Sequence, residues 1–547
     1  MGEVPTIRTL ATTISHLLPS QVVGRPMRAL RRAFARPVRV PNNLSFADRR
    51  LISAVPFPPD FADRSDHSTP TFEFMGRGIP LDAPVDWEAV DAPALWRYNL
   101  HYTAFLSKIA VDRRAAICAD WIHSNAPFRG IGWDAYPTSL RIINWAKHAP
   151  PTPEIVRSLF VQSDYLSRFT ETHLLGNHLL ENARALVFAG SFFGDTPAGR
   201  SWMEQGIRIY NRESFEQVLP DGGHFERSPM YHALVLEGYI DVLNLIPLDH
   251  KARRFFLEVI DRMAAFLEGT MHPDGEISLF NDSAFGVAMP AAKLMKYASE
   301  VISCRPSASR CTRSLRSFGN TGYYAYRGDR SFVIVDGGPV GPDYLPAHAH
   351  ADVFSFELSR SARRWIVDSG VYEYSAGEMR HYCRATRAHN TLEVDGLDQV
   401  ETWSSFRVAR RGRPYGVRFN SDGVEFEFCG VFPGYRFLLG ADVRFVRTIR
   451  GGEDHLRVDD HVTGDGVHRL ASYVHVHPDV EVSLDNSSTV RMTLDDEVCL
   501  LRSTGADVRL DVGWYCPRFG ARFENPVVVL EVVEVLPYRF GYTLRFV

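Results

Sequence analysis

A helical domain followed by a large antiparallel β-sandwich is the fold this sequence predicts, and three observations predict it. The chain has 547 residues, too many for one hydrophobic core, so two or three domains are expected. From about residue 85 to 305 apolar residues recur at spacings of three and four, the period of a helix with one buried face. Near residue 315 the period drops to two and stays there to Val547, with Gly-Asp and Gly-Gly turns between the runs. An all-helical half followed by an all-strand half reads as two separate layers of architecture rather than an interleaved α/β fold.

Each part follows from local signals. Residues 1–84 combine a short amphipathic start with a Pro-rich stretch from Pro56 to Pro70, and read as an extension wrapped on a later domain. The basic run from Arg28 to Arg39 reads as a solvated helix face. Residues 85–312 form the helical domain, with clear periodicity in Trp96–Ile109, Ser139–Trp145 and Phe255–Leu267. Ser228-Pro229 is a helix start, a capping hydroxyl before a Pro at the first helical position, and Pro247 stops that helix. Leu219-Pro220-Asp221-Gly222 echoes in His272-Pro273-Asp274-Gly275, 53 residues on, as helical hairpins set in a ring or arc would require. Residues 313–547 form the sandwich, with strands expected at Tyr323–Tyr326, Phe332–Val335, Val353–Leu358, Trp365–Val367, Thr391–Val394 and Val424–Phe428.

Composition narrows the function classes. A net charge of -4 and a pI near 6.6 provide no broad basic field, which argues against nucleic acid and leaves a polyanion only through a locally basic cleft. Arg407, Arg410, Arg411 and Arg413 form one such local patch. Seven cysteines without a CxxC predict neither a disulfide framework nor a thiolate zinc site. No apolar run reaches the length of a membrane span. The N-terminus lacks the order of an export signal, so the expected compartment is the cytoplasm.

The chemistry concentrates in three clusters. Ala347-His348-Ala349-His350-Ala351-Asp352 places His348, His350 and Asp352 on one face if the segment is a strand, with Asp368 returning beside them and His389 further on. His350, Asp368 and His389 then form a two-imidazole, one-carboxylate set suited to Zn²⁺, which leaves His348 for chemistry; the alternative is a set of strand-end histidines without metal. In His173 to Asn182, Asn177, His178 and Glu181 share one helix edge, either as a site or as a polar network joining two helices. In Asp221 to His232, residues His224, Glu226, Arg227, Tyr231 and His232 gather round a helix N-terminus, which favours anions through its free N–H groups. The alternative is a capped helix with a charged, solvated turn.

Taken together the sequence resembles the heparinase II/III family of polysaccharide lyases. The resemblance rests on Trp96 to Tyr102, Tyr136 to Arg141, His173 to Asn182, Asp221 to Tyr231, His348 to Asp352, Val367 to Gly370, Ala388 to Thr391 and Trp403 to Arg411. It implies an incomplete (α/α) toroid before the sandwich and β-elimination on a uronate-containing acidic polysaccharide. By the same resemblance Asn177 contacts the substrate carboxylate with His178 beside it, Tyr231 and His348 are catalytic, and Tyr374 is a candidate second catalytic tyrosine. Glu181, Arg227 and Arg407 would bind substrate, and either Arg227, one turn before Tyr231, or His348 would help to favour its phenolate. His350, Asp368 and His389 match a structural Zn²⁺ site. Exported members of the family give the periplasm as the alternative compartment, whereas relatives without an export signal suggest trimming of a self-made exopolysaccharide or capsule. Two other classes stay open: a non-catalytic binding factor for acidic polysaccharide on the same fold, and a zinc hydrolase in which the metal activates water.

Overall fold

The computed structural model describes residues 5–547 apart from 43, 47–48, 59–70, 82–83 and 303–313. The Pro-rich stretch beyond Pro58, Cys304, Cys311 and the expected boundary at 312 therefore lie outside the described residues. The N-terminal segment contains helices α1 (Ile7–Ser15) and α2 (Pro19–Ala33) and a hairpin of β1 (Thr71–Phe74) and β2 (Arg77–Pro80). Thr6 caps α1 by accepting from the Thr9 amide, and Pro19 opens α2.

These two helices form a strap with its polar side inward. Thr9 donates to Glu401 (2.7 Å), Trp403 donates to Thr13 (3.1 Å) and Gln21 donates to the Tyr344 carbonyl (3.1 Å). On the other side Arg32 pairs with Asp134 (2.7 Å) and Arg28 with Glu171 (3.7 Å). The reading of the basic run as a solvated face holds for Arg31, Arg36 and Arg39, which are exposed, and is corrected for Arg28 and Arg32. Arg28 and Arg32 are anchors, whereas Ile7, Val22, Leu30 and Phe34 face outward.

The helical half contains α3 (Ala94–Tyr102), α4 (Val111–Ser124), α5 (Ala135–His148), α6 (Pro153–Arg168), α7 (Gly176–Phe192), α8 (Pro197–Gln217), α9 (Pro229–Leu245), α10 (Arg253–Thr270) and α11 (Ala291–Ile302). Helix α7 packs on α5, α8 and α9 and is buried almost all round, as its continuous apolar sequence requires. The Ser228 hydroxyl accepts from the Tyr231 amide and so fixes the start of α9. Both Pro-Asp-Gly turns point at the β domain. Asp221 accepts from the Thr321 amide (2.7 Å) and Asp274 pairs with Arg364 (2.7 Å), with Gly222 and Gly275 at φ +90° and +87° where a side chain would be strained.

The β half begins with a five-stranded antiparallel sheet of β3 (Ser314–Phe318), β4 (Tyr323–Arg327), β5 (Ser331–Asp336), β6 (Phe356–Arg360) and β7 (Arg363–Ile366), in sequence order. After helix α12 (Glu378–Arg384) come β8 (Leu392–Val394) and the ribbon of β9 (Thr402–Trp403) and β10 (Arg407–Val408). Next in the chain are β11 (Tyr415–Ser421), β12 (Phe426–Phe432), β13 (Arg444–Gly451), β14 (His455–Thr463), β15 (Val467–His475), β16 (Glu481–Asn486), β17 (Thr489–Leu494), β18 (Glu497–Thr504), β19 (Asp507–Arg518), β20 (Ala521–Val535) and β21 (Tyr538–Phe546). Eight of them form a sheet in the order β11-β12-β13-β14-β21-β18-β17-β16, and β19-β20-β15-β8 form a second. Neighbouring strands in these sheets are antiparallel, and alternating burial along β12 to β14 places one face on the core.

Two expectations change. The strand expected from Val353 starts only at Phe356, because the Ser355 amide turns back to the Asp352 carbonyl and Phe354 sits at φ +63°. The run from His348 to Asp352 is a loop rather than a strand: it pairs with residues 281 and 282 of the helical half instead of a sheet neighbour. The described cysteines are free, and no helix among the described residues is long and apolar enough to cross a membrane.

Two buried histidines in this scaffold make its stability depend on pH. Burial pushes His101 and His232 down to about 3; His101 accepts from the Trp121 indole (3.0 Å) and His232 meets the Met263 carbonyl (3.0 Å). Unfolding restores a pKa near ~6.5, so between these values the unfolded chain binds protons that the folded chain does not. The contribution of these two histidines is therefore complete above about pH 6.5 and falls as pH drops toward 3, by up to ~1.4 kcal/mol per pH unit for each. Thermal unfolding between pH 7 and 4.5 should show this decline, and His232→Gln should make it shallower.

Candidate functional site

Between the toroid, the strap and the β domain lies a cavity of about 1810 Å³. Asn177, His178 and Glu181 reach it from α7, Tyr231 from α9, His348 from the loop after β5, and Tyr374 from the segment before α12. Two helices and two loops from different domains thus converge on one wall.

The first group is built around a glycine. Gly176 has φ +57°, and a Cβ there would stand 2.2 Å from the Glu226 carboxylate. With no side chain in the way, Glu226 accepts from the Asn177 amide N–H (3.1 Å) and from its side-chain Nδ2 (3.0 Å). The preceding Leu175, at φ +64°, is in a sparsely populated backbone region, a strain held by this packing. His178 meets Glu171 (3.3 Å) and lies 4.4 Å from the Tyr136 ring. Burial opposes its charge, but Glu171 outweighs burial and raises its pKa. Glu181 pairs with Arg184 (3.2 Å), and burial raises its carboxyl pKa despite that pair.

The second group is built around Asp282, which is fully buried. His348 Nδ1 lies 2.9 Å from one of its oxygens and His350 Nε2 lies 2.9 Å from the other. Arg380 grips both oxygens, one of them at 2.9 Å. Burial alone would raise the carboxyl pKa, but Arg380 and the two histidines hold it well below the usual carboxylate range. A charged Asp282 fixes the proton of His348 on Nδ1 and leaves Nε2 as an acceptor at the cavity wall, 3.7 Å from Glu226. Tyr231 stacks on His348 with centroids 4.0 Å apart, and its hydroxyl is 3.0 Å from that of Tyr374. Burial, then Tyr374, raises the Tyr231 pKa well above 10, so the phenol holds its proton.

Other predicted residues lie elsewhere. Arg227 faces away from Tyr231 and donates to the carbonyls of Thr321 (2.9 Å), Phe225 (3.0 Å) and Asn320 (3.3 Å). It does not line the cavity, so neither a phenolate-favouring role nor substrate contact fits it. The N-terminus of α9 is buried against Ser283 and the Asp282 carbonyl and is not open to an anion; His224 turns to Gln217 and His232 to Met263. Arg407 does line the cavity.

His350, Asp368 and His389 lie behind the wall rather than on it. His389 Nδ1 is 2.8 Å from Asp368, and the rings of His350 and His389 are 5.3 Å apart. His350 Nδ1 and His389 Nε2 are both buried without a hydrogen-bond partner. Among the described residues no three His, Cys, Asp or Glu side chains are gathered closely enough for a ready metal cage.

Sequence reading missed Asp282, Arg380 and the role of Glu226. Only the polar Asn281-Asp282-Ser283 run after Leu279-Phe280 signals a buried carboxylate, and nothing in its spacing points to His348 or Arg380.

This geometry was compared with known proteins. The profile described as Heparinase II/III N-terminus matches residues 154–308, and that described as Heparinase II/III-like, C-terminal matches residues 310–538. A heparin-sulfate lyase of Pedobacter heparinus is 27% identical over 275 residues, covering 46% of this chain and 40% of the relative. One from Bacteroides thetaiotaomicron is 26% identical over 315 residues, covering 50% of this chain and 45% of the relative. The chain therefore matches less than half the length of either relative. Among solved structures, Heparinase III superposes with a TM-score of 0.70 at 17% identity, covering 100% of this chain and 92% of that one. Heparan sulfate lyase HepC from Pedobacter heparinus gives 0.58 at 18%, covering 87% and 81%. Such likeness establishes the shared fold, a helical toroid joined to a β-sandwich.

The buried Asp282–Arg380 pair gives a direct prediction. Arg380→Met leaves a buried carboxylate without its cation and should cost about 3–5 kcal/mol of stability, read from urea unfolding. Arg380→Lys should recover part of the loss.

Proposed function

The chain belongs to the heparinase II/III family, and from that premise we propose that it is a polysaccharide lyase that cleaves a uronate-containing acidic polymer by β-elimination. One observation carries the reading: an Asp282-oriented His348 stacked on Tyr231 at the cavity wall, with Asn177 beside them through Glu226. Elimination needs a base for the C5 proton, an acid for the departing oxygen and a partner for the carboxylate that makes C5–H acidic.

The residues divide as follows. Asn177, held by Glu226, presents its amide to the uronate carboxylate. His348 Nε2 takes the C5 proton, the C5–H electrons become the C4–C5 double bond, and the C4–O bond breaks. Tyr231 gives its hydroxyl proton to the departing oxygen. A high pKa makes Tyr231 a poor base but keeps it protonated, as the acid role needs. The resulting imidazolium and phenolate lie against each other, with Tyr374 as hydrogen-bond partner, until exchange of protons with water restores both.

Purified protein mixed with acidic polysaccharides should produce ultraviolet absorbance from the new double bond, and Tyr231→Phe should lower the rate by about 10²–10⁴-fold while melting like the parent. An active, folded Tyr231→Phe protein would sink this mechanism. Tight binding of an acidic polymer without turnover would favour a non-catalytic binding factor.

We also propose that His350, Asp368 and His389 bind Zn²⁺. The fit rests on two buried, unpartnered nitrogens, His350 Nδ1 and His389 Nε2, each on a ring whose other nitrogen meets a carboxylate. The metal would act as a structural pin behind the wall, because Asp282 joins His350 to His348. Elemental analysis should find zinc equimolar with the chain, and His389→Ala should lose it and melt at a lower temperature. A fully stable, zinc-free parent would exclude the site.

A further inference from the structure

The cavity wall holds a charge arrangement that elimination does not use. Of the four arginines at 407, 410, 411 and 413, three have carboxylate partners: Arg410 pairs with Glu401 (2.7 Å), and Arg411 and Arg413 share Asp343. Arg407 is the exception. It is half-buried, lines the cavity, and among the described residues its guanidinium has neither a carboxylate nor a carbonyl partner. Arg25 of the strap lines the same cavity, is exposed, and is likewise without such a partner among the described residues.

Contacts of their own segments place each of the two at the cavity. Arg407 stands opposite Trp403 in the β9–β10 ribbon, and the Trp403 indole donates to Thr13 on α1. Helix α2 is pressed on the toroid at Gly24, where an added Cβ would lie 2.7 Å from that of His173. Arg25 follows directly, so its backbone position is set. The charges sense each other: burial first, then Arg25, pushes the Arg407 guanidinium down. Phe406, the residue before Arg407, touches the Tyr374 ring (5.3 Å) and the His348 ring (6.2 Å), so the pair adjoins the reacting groups.

Two guanidiniums that line one cleft without carboxylate partners repel each other, and an anion between them relieves that repulsion. We propose that Arg25 and Arg407 form an anion subsite beside the catalytic wall, which binds a second acidic group of the polymer, a sulfate or carboxylate on a neighbouring sugar. Planar guanidinium forks suit both kinds of oxyanion. The N-terminal strap thereby becomes part of substrate selection. This inference rests on the proposed lyase reading for its substrate and on the two arginines for its location.

The test uses the full chain with Arg25→Gln, Arg25→Lys, Arg407→Gln and the double Gln variant. Heparan sulfate and its chemically desulfated, re-N-acetylated form are the probes. Dissociation constants are measured in a Tyr231→Phe background and kinetics in the active enzyme. Arg25→Gln should raise KM and Kd about ten-fold, as expected for a lost charge-assisted contact, with the effect on KM rather than kcat and smaller in high salt. Arg25→Lys should recover part of the affinity, and Arg413→Gln, a change outside the cavity, should leave Kd within two-fold. A ten-fold effect on the sulfated polymer alone identifies sulfate as the ligand; an equal effect on both identifies carboxylate. Unchanged KM and Kd in the double variant, or no binding of either polymer by the parent, overturns the subsite. Binding that depends on Arg25 in a protein that never cleaves would retain the subsite and reject the lyase reading.

Discussion

The site depends on one buried carboxylate. Asp282 belongs to the helical half, yet its partners His348, His350 and Arg380 all come from the β half. Removing a carboxylate from water is costly, and only a full set of donors offsets the cost. Here two imidazoles and a guanidinium supply that set, so the domains cannot shift relative to each other without leaving a charge buried and unpaired. The same four bonds set the His348 tautomer, which decides whether its free nitrogen can accept a proton. The interaction that joins the domains is thus also the one that prepares the base.

Other cross-domain contacts follow the same pattern. Asp221 with Thr321, Asp274 with Arg364, and Glu357 with His272 (2.7 Å) all pair a toroid residue with a β-domain residue. The strap adds a third attachment, bonded to Asp134 on the toroid and to Glu401 in the β half. The cavity between these elements therefore has walls fixed by polar contacts as well as by apolar ones such as Phe266 and Phe280 against Tyr323 and Phe332. Such walls suit a hydrated, charged polymer, whose sugars need donors and acceptors as much as surface.

Much of this fold is legible in the sequence, because burial imposes a period. The helix at Pro229 and the strands at Tyr323 and Ser331 lie within a residue of where cap and alternation place them. The site is legible where its residues sit on such elements: Asn177 and Tyr231 each lie in the first turn of a helix. It is illegible where long-range pairing decides. The alternation His348-Ala349-His350 reads as a strand, but the segment is a loop whose amide and carbonyl partners lie in residues 281 and 282, some 66 positions earlier. Arg227 looks like a catalytic neighbour on a helical wheel, yet it precedes the helix at φ +58° and turns to three carbonyls instead. Neither outcome is visible without the partner's location.

Charge gives the clearest case of what composition hides. A net charge of -4 provides no broad basic field for a polyanion, and the arginines from 407 to 413 provide a local one. Neither sum is the relevant quantity, since a cation matched to a buffering carboxylate attracts a polymer weakly whatever the total. Pairing in three dimensions gives Arg410 its own carboxylate and Arg411 and Arg413 a shared one, leaves Arg407 without any, then adds Arg25 from almost 400 residues away. Affinity for an acidic polymer is therefore compatible with an acidic chain, provided the unneutralised cations face the cleft and the surplus carboxylates face elsewhere.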